Sequence, residues 1–270
     1  MASLGVRLAA EAAAVLVVVA AVFSLPPIPQ DPVYHSYAGD ERTLLGIPRG
    51  ANVLSSLPVA APGAAGLWRL WRLWRRRGSG SGRGSAAGSV PAPEAACWVA
   101  ALVGMMMVGA TSAYYHSDPT TATLVWDRVS IATSFPAVAA ALLAQRRGGA
   151  CGLAALPLLL AGGIGSVLYW RYSELAGQGD LRPYMLAQGG SAVASLYLVL
   201  VYPPPRGSSN RPLLAGLGLY AVAMAAEARD HAVYRLTARL ISGHTLKHLV
   251  AAAAEWQVVQ HLRRRGVHEA

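Results

Sequence analysis

AACWVAALVGMMMVGATSAYYHS, residues 95–117, is 23 residues long and contains no Asp, Glu, Lys or Arg. A helix rising about 1.5 Å per residue needs roughly 20 residues to cross the hydrocarbon core of a bilayer, so this run is long enough. Residues 148–170 and 183–205 are neutral runs of the same length. The whole chain is 54% hydrophobic and 13% charged, about half the charged fraction usual for a soluble domain. Mean hydropathy is +0.38. These values predict an all-α, polytopic transmembrane bundle.

Reading for apolar length gives eight candidate spans, near 9–25, 52–70, 95–116, 121–144, 150–170, 184–202, 212–227 and 241–261. Residues 1–30 hold the first, a signal anchor or a signal peptide. No clear small-x-small cleavage site precedes the proline-rich LPPIPQ, which favours a retained helix. Residues 31–270 then form the membrane domain proper. Pro58 and Pro62 predict a kink in its first span. Residues 75–94, RRRGSGSGRGSAAGSVPAPE, read as a flexible basic linker.

The net charge of +10 raises a nucleic-acid partner, but the arginines lie between apolar runs, as topology determinants do. No aromatic-interleaved basic domain is present to hold a polynucleotide. With the N-terminus inside, one side receives Arg7, Arg69 to Arg83, Arg146, Arg147, Arg206, Arg211 and Arg263 to Arg265, while the opposite loops carry mixed charge. The positive-inside rule therefore predicts a multi-pass protein of the secretory pathway or plasma membrane with a cytoplasmic C-terminus. Cys97 and Cys151 lack CxxC spacing and read as buried, inert thiols.

Ionisable groups within apolar segments are few, and each marks a site or a partner by default. Ser112 and His116 are four apart at the end of one span, on one helical face. Asp127 lies in the second turn of the next span, and His244 and His248 open the last, again four apart. The alternation of spans puts His116, Asp127, His244 and His248 within about two turns, roughly 10 Å of depth, at one membrane face. Three neutral imidazoles with an open position are a common catalytic zinc arrangement. Zinc lowers the pKa of its water to about 7 and so makes hydroxide available at neutral pH. Asp127 suits a proton shuttle or a partner to a ligand, and Ser112 could donate to a developing oxyanion. HxxxH alone is weak evidence, since such pairs are often ordinary core or interface histidines. Haem is disfavoured, because two histidines on one helical face cannot reach opposite faces of a macrocycle. Lys247 lies about 100° round the helix from His248 and reads as snorkelling outward or pairing with a loop carboxylate. Glu255, on the histidine face but two turns deeper, has no assigned role.

SxxxH ending one helix, Asp eleven residues later and HxxxH in the last span together resemble the alkaline ceramidase family. That family belongs to a wider group of seven-helix membrane hydrolases that includes the adiponectin and progestin receptors. Further stretches resemble its plant and bacterial alkaline-phytoceramidase-like branch: YHSYAGDERTLLGIPRGANVLSS (34–56), ATLVWDR (122–128), SVLYWRYSE (166–174), GDLRPY (179–184) and SGHTLKHL (242–249). The resemblance implies a seven-helix core, with the first helix as an extra. It implies a Zn2+-dependent amidase that cleaves the N-acyl bond of ceramide or phytoceramide to a sphingoid base and a fatty acid. In that picture His116, His244 and His248 bind zinc, Asp127 handles protons and Ser112 steadies the oxyanion. Its partners are the bilayer and a ceramide-class lipid; no protein partner is implied. Animal members carry an acidic Ca2+ site for which Asp40, Glu41 and Asn52 could stand as outer-loop cation or lid residues. Arg49 falls where a further glutamate is expected and opposes the ion, which argues against calcium dependence. Two other classes remain open: a receptor-like or scaffolding protein with a structural zinc, and a transporter relaying protons through His and Asp. No inverted repeat is visible to support the last.

Overall fold

The computed structural model describes residues 4–36, 41–78, 90–206 and 208–264. The described chain is helical throughout, with one isolated β-bridge, Leu44 to Ile47. In order the helices are α1 (Leu4–Ser24), α2 (Gly50–Ser56), α3 (Ala60–Gly78), α4 (Ala92–Ser117), α5 (Thr121–Arg147), α6 (Gly149–Leu175), α7 (Arg182–Met185), α8 (Ser191–Val201), α9 (Arg211–Ala228), α10 (Asp230–Leu236) and α11 (Gly243–Arg264).

Every apolar span read from the sequence falls on helix. Among the described residues, four helical stretches, α4, α5, α6 and Arg182–Val201, are long and apolar enough to cross a membrane. The others fall short by composition or length: α3 carries arginine at 69, 72 and 75, and α11 mixes its alanines with His, Lys, Glu and Gln. Apolar side chains also face outward, with Leu158 on α6 75% exposed and Leu16 on α1 68% exposed. Outward-facing apolar surface on this scale is the composition of a membrane protein.

Prolines and glycines set the local breaks. A 3-10 turn, Leu57–Val59, joins α2 to α3 around Pro58, which has no N–H for the ladder; this is the kink expected there. A π-helical turn, Leu186–Gly190, separates α7 from α8. The linker reading needs correction at both ends: residues 75–78 continue α3, and α4 has begun by Ala92. Residues 79–89 lie outside those described. The loop expected before the last span also holds the short helix α10.

The helices close into a ring. α4 packs between α3 and α5, α5 is the most buried, α9 pairs with α11, and α11 returns to α2 and α3. Ala132 lies so near α6 that a Cβ at Gly163 would come within 2.2 Å of its carbonyl oxygen. At the arginine-rich end, Gln145 meets the buried His261, and Arg146 donates to Asn210 Oδ1 at 2.7 Å. The ends of α5 and α11 and the start of α9 therefore meet there, and the starts of α5 and α11 meet the end of α4 at the other. Helix α1 is tied along its length: Glu11 accepts from Tyr197 and Tyr202, and Arg182 donates to the carbonyls of Phe23 and Leu25. Cys97 is buried as expected, but Cys151 is exposed, on the outward side of the first turn of α6.

Candidate metal centre

The α4–α5 turn places the first two candidate residues. Thr120 accepts from the Thr123 amide while the Thr123 hydroxyl accepts from the Thr120 amide, a reciprocal cap that starts α5 abruptly. His116 is thereby left in the last turn of α4 and Asp127 in the second turn of α5. The start of α11 is held just as firmly. Ser242 accepts from the Thr245 amide at 3.0 Å, and Asp230 of α10 accepts from the His244 amide at 2.7 Å. Two of the orphan N–H groups of the first turn are so satisfied. A Cβ on Gly243 would sit 2.0 Å from the Ala226 carbonyl oxygen. Gly243→Ala should therefore displace the first turn of α11 and lower the melting temperature, with a cost of about 1–3 kcal/mol. An unchanged melting curve and metal content would contradict this packing.

His116, His244 and His248 converge. All three are buried, their ring centroids lie 4.7 to 5.0 Å apart, and one ligand nitrogen from each lies within 4.8 Å of the others. His244 Nε2 and His116 Nε2 are 3.1 Å apart. Two nitrogens at about 2.0–2.1 Å from one tetrahedral zinc keep about 3.4 Å between them, so the residues present fit such an ion.

His244 Nδ1 lies 3.1 Å from Glu227 Oε1. The Ser55 hydroxyl lies 2.9 Å from His248 Nδ1 and 3.2 Å from the Asn52 carbonyl oxygen. A proton on Nδ1 of both rings would leave Nε2 able to bind a metal. Ser112 Oγ lies 3.4 Å from His248 Nε2 and 3.1 Å from Ser56 Oγ. Glu227 and Ser55 thus stand beside the outer nitrogens of two of the three rings. Glu227→Gln, which removes the negative charge beside His244 Nδ1, should weaken zinc binding by about 10–100-fold, measured by chelator competition. Equal affinity would remove Glu227 from the site.

A cavity of about 210 Å³ opens beside His248, between α4, α5, α8, α9 and α11. Its polar end carries Tyr34, Ser112, Asp127, Glu227, Lys247 and His248, and it runs among mostly apolar side chains as far as Leu142, Val199, Leu213 and Val258. Asp127 to Leu142 is fifteen residues of one helix, about 22 Å. Asp127 is buried, and its Oδ1 has no hydrogen-bond partner among the described residues. Lys247 differs from its expected orientation: it turns into the cavity wall and donates to Glu227 Oε1 at 2.6 Å, a carboxylate on α9 rather than on a loop.

Of the outer-loop candidates, Asp40 lies outside the described residues and Glu41 is exposed. Asn52 is buried in α2, and its side-chain oxygen accepts from Thr245 Oγ1 at 2.6 Å, so it locks α2 to α11. The segment before α2 contributes elsewhere. Tyr34 stacks on Tyr115, and His35 bridges Tyr115 Oη and Thr121 Oγ1. Burial pushes the His35 imidazole below the usual histidine range, and the Arg128 charge adds to this. Arg128 lies over the rings of Trp170, Tyr184 and Tyr34 and donates to Gln30. Only its place beside Asp127 in an apolar span hinted at such a role.

No protein-family model, curated protein or solved structure matches this chain.

Proposed function

We propose that the chain is a multi-pass intramembrane hydrolase that uses zinc to cleave the N-acyl amide bond of ceramide-class lipids, as its resemblance to the alkaline ceramidases implies. The observation that carries this reading is the buried His116–His244–His248 triangle at the polar end of a long apolar cavity. Three histidines form the cluster, with no fourth His, Cys, Asp or Glu joining it among the described residues. That is the ligand count of a catalytic zinc, whereas structural zinc sites are closed by four protein ligands. In this reading the helices from residue 50 onward are the seven-helix core, α1 is the extra helix, and the C-terminus is cytoplasmic.

His116, His244 and His248 would hold the ion, which supplies Lewis acidity and a water acidic enough to ionise near neutral pH. The rest falls to the chain. Hydrolysis adds the oxygen of water to the amide carbon, breaks the C–N bond and delivers a proton to the departing nitrogen. Asp127, with a partnerless oxygen on the cavity wall, is placed to take the water's proton and return it to that nitrogen. Ser112 offers its hydroxyl to the carbonyl oxygen as charge develops there. The apolar walls exclude water and take a long alkyl chain, which can arrive from the bilayer. The test is the release of fatty acid from ceramide and phytoceramide by the purified chain. Full zinc loading without turnover of any N-acyl sphingoid base would refute the substrate assignment.

A further inference from the structure

The face of α11 that lines the cavity carries Lys247, His248, Ala251, Ala254, Glu255, Gln257 and Val258. Beyond His248 its one ionisable group is Glu255, which lies two turns further on, about 10 Å along the axis, with the neutral Gln257 near it. Opposite it, α9 presents Gly216, Leu217 and Tyr220. Glu255 Oε2 is buried and meets no hydrogen-bond donor among the described residues.

Other carboxylates at buried positions are engaged. Glu94 accepts from Trp98 and Gln145, Glu174 from Trp170 and the Gln30 amide, and Glu227 from Lys247. Asp127 and Asp230 also each keep one partnerless oxygen, but Asp127 stands beside the histidines, and Asp230 accepts from the His244 amide and does not line the cavity. Glu255 is the acid left facing the apolar part of the cavity. Burying such a group unpaired carries a desolvation cost, which a ligand bringing its own donor recovers. A hydroxyl enters apolar surroundings at far lower cost than an ammonium ion, so an alcohol suits the place better.

We propose that Glu255 is a subsite for a hydroxyl carried midway along a long-chain ligand, which selects hydroxylated over plain chains. The placement of the ligand's polar end at the histidines rests on the hydrolase reading; the subsite itself rests on the cavity. The axial distance corresponds to about eight carbons of extended chain.

The probes are stearic acid and stearic acid hydroxylated near mid-chain. Binding to the purified full-length chain is read by displacement of a fluorescent fatty acid. Wild type should bind the hydroxylated acid about tenfold more tightly, a difference of about 1.4 kcal/mol. Glu255→Met, similar in volume and apolar, should abolish or reverse the preference. Glu255→Gln keeps an acceptor and should keep a reduced preference, which preserves the comparison if the methionine variant does not fold. Equal binding of the two acids by wild type, an unchanged ratio in Glu255→Met, or no binding of either acid overturns the subsite. A preference that persists in a chain unable to hydrolyse ceramide upholds the subsite and refutes only the hydrolase reading.

Discussion

His116→Ala is expected to reduce bound zinc from about one ion per chain to below about a tenth, and ceramide hydrolysis by at least about a thousandfold. His116 is the one histidine of the cluster that α4 supplies; His244 and His248 share one face of α11. Two imidazoles from a single helix remain in the variant, too few for a stable site. The ring is 1% exposed, so its removal also leaves a small cavity. A melting curve separates that cost from metal loss. Zinc retained at full occupancy would exclude the triangle as the ligand set.

Asp127→Asn has the second large effect, of a different kind. The substitution keeps size and shape, and Asp127 is not among the three clustered ligands. Zinc content should therefore stay near one per chain, while turnover falls by about 10^2–10^4, the usual contribution of a positioned acid–base group. Together the two variants separate catalysis from structure. A structural zinc would be lost in the first variant, and the second would have no activity to lose. An Asp127→Asn enzyme with unchanged turnover would remove the carboxylate from the chemistry.

How much of this was legible beforehand differs from residue to residue. Ser112 and His116 share a helical face by spacing alone, as do His244 and His248. Span alternation then brought both pairs and Asp127 to one depth, because each crossing reverses direction and a neutral run fixes its own length. Pro58 announced the break between α2 and α3 through its missing N–H. The supporting contacts were not legible. Glu227 reaches His244 from the end of another helix, and Ser55 reaches His248 from the short helix before the break. Such pairs depend on how helices pack across about 190 residues of sequence in the second case, and no local period records that. Lys247 shows the same limit. Its angle from His248 was readable, but which neighbour stood at that angle was not, and α9 supplied Glu227 there. The inward turn of Asn52 arose likewise, from Thr245 on α11.

The most direct test of the central claim is metal analysis of the purified chain coupled to a lipid-amide hydrolysis assay, with His116→Ala run in parallel. The account predicts about one zinc per wild-type chain, fatty acid released from ceramide, and the loss of both in the variant. A wild-type chain without zinc, or zinc and activity that survive His116→Ala, would contradict it.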